Sequence, residues 1–340
     1  MNISDRKKRL LWQVPFLCFL IAGTVYIIRQ QQDAPYQHNR GAIFGTTYHI
    51  AYQSSDNLEK EILEELNKVD ASLSTFNKRS IISRINRNES VEPDEMFLEV
   101  FQLAEQISKE TDGAFDITVA PLVNAWGFGF KTGARPTPNT IDSLRRIVGF
   151  KKVSYSNGRI KKQDPRIMLD CSAIAKGFGS DVVARYLRSK NIKNFMVEIG
   201  GEIVASGISE KRLPWNVGVA RPTDDSLNIN QELQAVLSIT DKAMATSGNY
   251  RKFYYKDGKK YAHTIDPRTG YPVQHNILSA TVLANNCATA DAYATAFMVM
   301  GLEKAQQLIE NHPRIQAYLI YTDPQGHNKV WFSPALKDKI

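Results

Sequence analysis

The hydrophobic pattern changes character three times along the chain. Leu10 to Ile28 is mostly apolar, interrupted by Gln13, Pro15 and Gly23. Such a run is long enough to cross a bilayer as a helix. The basic cluster Arg6-Lys7-Lys8-Arg9 before it belongs on the cytoplasmic side and sends the rest of the chain outward. A cleaved signal peptide has the same basic head and apolar run, but here the apolar residues continue past Ala22-Gly23 through Val25, Tyr26, Ile27 and Ile28. Leu17 before Cys18 does not suit a lipoprotein site. The expectation is therefore a cytoplasmic basic segment (1–9), an uncleaved transmembrane anchor (10–28), a polar linker (29–40) and an exported globular body (41–340).

Within the body the periodicity alternates between two and 3.6. Thr46 to Tyr52 (TTYHIAY) alternates like a strand. Leu58, Ile62, Leu66, Val69 and Leu73 then predict a helix with one buried stripe. Phe97, Val100, Phe101, Ala104 and Ile107 predict a second helix that stops near Asp112-Gly113. Residues 195–207 (FMVEIGGEIVASG) read as a hairpin around Gly200-Gly201, and 251–262 as another with Asp257-Gly258 at its tip. Ala245 to Tyr250 (ATSGNY) reads as a small-residue turn. After the turn block Asp266-Pro267-Arg268-Thr269-Gly270, an extended run (277–284) leads into a helix-like segment. Leu302, Ala305, Leu308 and Ile309 mark a C-terminal helix, and 315–321 and 330–332 closing strands. The pattern supports an α+β body with mixed or antiparallel sheets and packed helices.

Composition adds less. A chain of 340 residues with 43% hydrophobic and 23% charged content is an ordinary globular one. Of the net charge of +8, residues 1–40 supply +4, leaving a mildly basic body that suits a small anionic molecule. The body carries no basic stripe or nucleic-acid recognition motif. Cys18 lies in the apolar run, and Cys171 and Cys287 are isolated from each other and from any zinc-type spacing, which reads as two buried thiols.

Several residues bear chemistry. Asp291 and Thr295 stand four apart on the predicted helix and so share a face, offering a carboxylate and a hydroxyl of the kind Mg²⁺ prefers. The same pair could equally solvate a helix turn and fill a groove. Asp170 and Lys176 flank a small-residue run at a helix start, where free N–H groups and a lysine can hold phosphate, or where a lysine is merely solvated. Glu198 and Glu202 are either acid/base carboxylates or surface charges beside the hairpin turn. Gly127 and Gly129 form a G-x-G, with the next glycine at Gly133, off the dinucleotide fingerprint. The aromatic residues Phe115, Trp126, Phe128 and Phe130 could flank a flat ring or belong to the core. Of the histidines, His38 lies in the linker and His312 and His327 in the tail. His49 and His275 are candidates, and His263 adjoins the turn that leads to the Asp291 helix.

Eight segments, in order, resemble the ApbE family of FAD:protein FMN transferases: FGTTYHIAY (44–52), LSTFNKRSIISRIN (73–86), TDGAFDITVAPLVNAWGFG (111–129), LDCSAIAKGFGSD (169–181), VEIGGEI (197–203), ATSGNYR (245–251), HTIDPRTGYPV (263–273) and ATADAYATAFMVMG (288–301). The resemblance implies a T-fold-like body and an enzyme that uses Mg²⁺ to split FAD. It joins the FMN half, through its phosphate, to a threonine or serine of an acceptor protein, releasing AMP. By position, Asp291 and Thr295 match the family's metal-binding side chains, and Ala173 the residue whose carbonyl completes that site. Phe44, Phe76, Ala114, Phe115, Asp116, Asp170, Lys176 and Ile265 match FAD-contacting positions, and His263 the histidine that activates the acceptor hydroxyl. Phe44 stands where the family often has methionine, and Phe76 where it often has tyrosine, so Phe76 keeps a flat ring and loses a hydroxyl.

The chemistry implied is consistent with the residues. Displacement at a pyrophosphate phosphorus builds negative charge that Mg²⁺ and a lysine stabilise, and a histidine suits the task of taking the hydroxyl proton. The acceptors implied are flavin-carrying subunits of membrane redox complexes, and with the anchor the expectation is an inner-membrane protein whose body lies on the periplasmic side. Two alternatives share these residues: a Mg²⁺-dependent FAD pyrophosphatase giving FMN and AMP, and a non-catalytic, membrane-anchored FAD-binding protein.

Overall fold

The alternation at residues 46–52 is the start of a large sheet. The computed structural model describes residues 3–32, 34–129, 136–222, 232–249, 253–256, 259–274 and 276–339. In chain order, α1 (Ile3–Gln32) leads to the hairpin β1 (Tyr36–Ile43) and β2 (Thr46–Gln53), followed by α2 (Glu59–Leu73), α3 (Ile81–Asn86), α4 (Glu95–Glu110), α5 (Ala120–Ala125) and α6 (Pro138–Arg145). A small hairpin, β3 (Val153–Ser156) and β4 (Arg159–Lys162), precedes α7 (Ala175–Ser189). Then come β5 (Phe195–Ile199), β6 (Glu202–Ser206), β7 (Trp215–Ala220), β8 (Leu233–Ile239), β9 (Lys242–Gly248), β10 (Phe253–Lys256), β11 (Lys259–Ala262) and β12 (Ile277–Ala284). The chain closes with α8 (Cys287–Met300), α9 (Leu302–Asn311), β13 (Gln316–Thr322) and β14 (Asn328–Phe332).

The main sheet has eight strands in the order β1-β2-β5-β6-β9-β12-β13-β14. Every pairing in it is antiparallel, so no parallel strand needs a crossover and the mixed alternative is not used. The period of two divides its residues between two cores. Tyr48, Ile50 and Tyr52 of β2, with Ala280, Val282 and Ala284 of β12, face a layer formed by α2, α3, α4, α7, α8 and α9. Ala51 and Leu283, the out-of-phase residues, face the β7–β8 hairpin, whose Trp215, Val217, Val219, Leu237 and Ile239 cover the opposite face. A third, smaller core joins Leu122, Trp126, Ile141 and Val148 to Tyr261 and Ile265.

Three expectations are corrected. Residues 36–40, read from composition as linker, are the first half of β1, paired residue for residue with β2. Residues 245–248, read as part of a turn, end β9 in the middle of the sheet. Their small side chains reflect the close passage of α8 over the sheet, not a reversal: Ala243 and Ala245 are fully buried in the main core. The apolar N-terminal run does form a helix, and its side chains from Trp12 to Ile28 are exposed, Trp12 at 84% and Phe19 at 74%. Yet among the described residues no helix is long and apolar enough to cross a membrane. Gln13 and Pro15 interrupt its apolar surface, and the polar Arg29 to Gln32 and Arg6 to Arg9 flank it. The tip Asp257-Gly258, with Tyr250, Arg251, Phe130, Gly133 and His275, lies outside the described residues.

Candidate active site

The site is built where α7 and α8 meet over the sheet. Gly177 lets their backbones touch. A Cβ there would stand 2.6 Å from the carbonyl carbon of Cys287 and 2.9 Å from the Ala288 nitrogen, and closer still to the Cys287 oxygen. The contact brings the Gly177 N–H to Asp291 Oδ2, to which it donates at 3.1 Å. That N–H is the one an uninterrupted helix would give to the carbonyl of Ala173, four residues back. Asp181, one turn further along α7, accepts from the N–H groups of Cys287 (2.8 Å) and Ala288 (2.8 Å) and so caps α8 from a neighbouring helix. Asn286 adds a local cap, accepting from Thr289 N–H.

Charge is concentrated at this junction. Asp291 is 2% exposed. Lys176 Nζ lies 3.7 Å from Asp291 Oδ2 and 2.6 Å from Glu202 Oε1, and Glu202 is itself buried. Burial opposes the Lys176 charge, but Asp291 and Glu202 outweigh it and hold its pKa above the ordinary lysine value. Burial pushes the Asp291 carboxyl up, while the Lys176 ammonium and the Gly177 N–H pull it back. A buried acid with a cation beside it is a functional-site signature. Glu202 is thus no surface charge, whereas Glu198, on β5, braces the hairpin turn, its Oε1 accepting from Gly201 N–H at 2.7 Å.

Thr295, one turn beyond Asp291, bonds Ser247 on β9 (Oγ to Oγ1, 3.1 Å). Two residues on, Asn249 Oδ1 accepts from Thr264 Oγ1 at 2.8 Å. The end of β9 therefore links the Thr295 side of α8 to the residue next to His263. His263 follows β11 directly, and the edge of its ring meets Phe128 at 6.4 Å between centroids. The loop after it is closed by backbone bonds (Val273 N–H to Thr264 O, 3.0 Å; Asp266 N–H to Tyr271 O, 2.9 Å). The Asp266 carboxylate grips Arg268 Nε at 2.9 Å, and Trp126 Nε1 donates to Gly270 O at 2.8 Å. The histidine sits on a rigid base.

The other candidates fall into two groups. Phe44 opens the β1–β2 turn at φ 52, a left-handed conformation unusual for an aromatic residue, and its ring lies against α7 where Gly179 leaves room. Phe76 is 74% exposed, on the loop between α2 and α3. Asp170 accepts from the Ser172 N–H (2.8 Å) and Ser172 Oγ (2.5 Å), forming the turn that carries Ala173 into α7. By contrast, Ala114, Phe115 and Ile265 have side chains buried in three different cores, so only their backbones can meet a ligand. Asp116 is turned inward too: Oδ1 accepts from Thr118 N–H (2.7 Å) and Oγ1 (2.6 Å), and Oδ2 from Phe150 N–H (2.7 Å). Of the aromatic residues weighed as ring-flanking, Phe115 and Trp126 are core.

A carboxylate, a hydroxyl and a main-chain carbonyl are a hard-oxygen donor set that fits Mg²⁺. Among the described residues there is no cluster of three or more histidines, cysteines, aspartates or glutamates that could hold a metal. Cys171 and Cys287 are buried and unpaired with each other, and burial raises both thiols. Gly177, Asp181, Ser247 and Asn249 are the residues that reading the chain did not single out.

The profile of the ApbE family matches residues 44–319. The chain is 37% identical over 314 residues to the FAD:protein FMN transferase of Vibrio cholerae, covering 89% of this chain and 93% of that one. It is 39% identical over 303 residues to the FAD:protein FMN transferase of Haemophilus influenzae, covering 84% and 86%. The solved structure of the flavin transferase ApbE from Vibrio cholerae superposes with a TM-score of 0.81 at 36% identity, over 90% of this chain and all of that one.

Proposed function

This chain belongs to the ApbE family and is an FAD:protein FMN transferase; from that premise we propose that Asp291, Thr295 and the Ala173 carbonyl hold Mg²⁺, that Lys176 serves the pyrophosphate, and that His263 serves the acceptor. The observation that carries this reading is the junction itself: a buried carboxylate, Asp291, with a protonated lysine 3.7 Å away and the Gly177 N–H bonded to it. When bound, Mg²⁺ would neutralise charge on the phosphate oxygens.

The chain's own residues account for the rest. Lys176, kept cationic by Asp291 and Glu202, adds a fixed positive charge where negative charge develops. His263 takes the proton of the acceptor threonine or serine hydroxyl. The hydroxyl oxygen then bonds to the phosphorus of the FMN half, the bond from that phosphorus to the bridging oxygen breaks, and AMP departs with that oxygen. Phe44 and Phe76 border the site, and Phe76 provides an exposed flat face for the isoalloxazine ring. The main-chain groups of Ala114, Phe115 and Ile265 complete the FAD contacts. Asp116 shapes its own segment from behind, and Asp170 orders the turn to Ala173.

The acceptor, in this reading, is a flavoprotein subunit of a membrane redox complex. The exposed apolar side chains of α1 support attachment to the inner membrane, and the basic residues 6–9 before them support a body on the periplasmic side. Phe76, lacking the hydroxyl of tyrosine, favours a second reading in which water competes with the acceptor and the protein acts as an FAD pyrophosphatase. The two separate in one assay: AMP release from FAD and Mg²⁺, followed with and without an acceptor domain. A transferase releases AMP in step with acceptor added; a pyrophosphatase releases it at the same rate without acceptor.

A further inference from the structure

The short helix α3 stands between two loops that the flavin reading uses, and it is bonded to both. At its start, Ser80 Oγ donates to the carbonyl of Ser74 at 2.6 Å, and Ser83 Oγ lies 3.3 Å from the same carbonyl and 3.4 Å from that of Thr75. These two residues form the root of the Phe76 loop. At its end, the Asn86 amide grips Leu169 on both sides, donating to its carbonyl (2.9 Å) and accepting its N–H (2.7 Å).

Lys162, at the end of β4, completes the clamp. Its ammonium lies within hydrogen-bond distance of four carbonyls: Ile85 (3.2 Å), Asn86 (3.3 Å), Pro165 (3.3 Å) and Ile167 (3.0 Å). Ile85 and Asn86 close α3, whose last carbonyls lack helical partners and favour a cation. Pro165 lies in the turn after β4 and Ile167 just beyond it, at the start of the run that enters the proposed metal turn. Asp170 N–H then bonds Ile117 O at 2.7 Å. The backbone is thus pinned at residues 165, 167, 169 and 170, three residues before Ala173.

We propose that Asn86 and Lys162 are positioning residues: through α3 they fix the Asp170–Ala173 turn relative to the Phe76 loop, and so set the affinity of the site for a divalent cation. This rests on the reading of the Ala173 carbonyl as a metal donor. A clamp that served folding alone would have no need to join the run before Ala173 to the root of the loop bearing an exposed aromatic ring.

The test is Mn²⁺ binding to the full chain, followed by electron paramagnetic resonance well below the melting temperature, for wild type, Asn86→Ala, Lys162→Met and Lys162→Arg. Losing one part-buried hydrogen-bonded anchor lowers Mn²⁺ affinity about 5- to 30-fold in Asn86→Ala and Lys162→Met. Lys162→Arg, which keeps a cationic donor, stays within about twofold of wild type. Where Asn86→Ala does not fold, Lys162→Gln takes its place with the same expectation. Lower melting temperatures with Mn²⁺ affinity unchanged in the folded variants would make the clamp structural only and overturn the proposal. A wild-type protein that binds no Mn²⁺ would instead remove the metal reading on which it rests.

Discussion

Replacing Gly177 with alanine adds one methyl group at the tightest point of the molecule. Its carbon would stand 2.6 Å from the Cys287 carbonyl carbon and 2.9 Å from the Ala288 nitrogen, about 1 Å short of ordinary contact. The neighbours are backbone, and Asp181 ties both their N–H groups at 2.8 Å, so no side chain can swing aside. The helices α7 and α8 must separate. Overpacking of this kind costs about 1–3 kcal/mol, and alanine returns up to about 1 kcal/mol of helix propensity. A net loss of about 1–2 kcal/mol corresponds to a melting temperature lowered by roughly 2–6 °C in a body of this size. The same separation draws Gly177 N–H away from Asp291 Oδ2, and a displacement near 1 Å raises the Mg²⁺ needed for half-maximal turnover about 10-fold or more. Thermal denaturation and a Mg²⁺ titration of FMN transfer read the two effects. A variant with wild-type melting temperature and wild-type Mg²⁺ dependence would refute the claim that this contact holds α8, the proposed metal helix, in place.

Asp291→Ala is expected to lower turnover at least about 10²-fold while FAD still binds, since the proposed metal and flavin contacts are partly separate; flavin fluorescence quenching and AMP release measure the two. His263→Ala is expected to slow transfer about 10²- to 10⁴-fold with FAD affinity unchanged, read by single-turnover kinetics. Phe76→Tyr restores the missing hydroxyl and is expected to raise the ratio of transfer to hydrolysis with no change in melting temperature, because the residue is 74% exposed. Burial raises Asp181 to about 6 from 3.8. An acid raised on folding contributes stability that is present below pH 3.8 and is lost as pH climbs through about 6, here about 3 kcal/mol in all. Asp181→Asn, which cannot ionise, therefore compares better with wild type at pH 7 than at pH 4; a gap in melting temperature independent of pH would contradict this.

What reading the chain captured was whatever is written in local periodicity. The stripe Ile62, Leu66, Val69 and Leu73 became α2, the Gly200-Gly201 pair turned β5 into β6, and the i, i+4 spacing of Asp291 and Thr295 survived as one turn of α8. What it missed depends on partners distant in sequence. Ala245, Thr246 and Ser247 resemble a turn because small residues carry no strong period; they are small because α8 passes close above them, which no local pattern records. The sequence leaves Glu202 open between an acid/base carboxylate and a surface charge because its partner, Lys176, lies on α7, although the unbroken burial of β6 agrees with its apolar sequence. Asp181 caps a helix that begins more than a hundred residues later. Phe115 and Ile265 match flavin-contacting positions by order in the chain, yet their side chains serve the core and leave the backbone for the ligand. Chemistry-bearing residues were legible by type; which atoms face the site was not.

The central claim is tested most directly by the covalent product. The protein is mixed with FAD, Mg²⁺ and an acceptor flavoprotein domain, and the acceptor is weighed intact by mass spectrometry with and without a chelator. The account predicts an acceptor heavier by one FMN phosphoester, with AMP released in equal amount, and no such species when the divalent ion is removed. An acceptor of unchanged mass alongside free FMN and AMP would contradict it, and so would an adduct that forms equally well in the presence of the chelator.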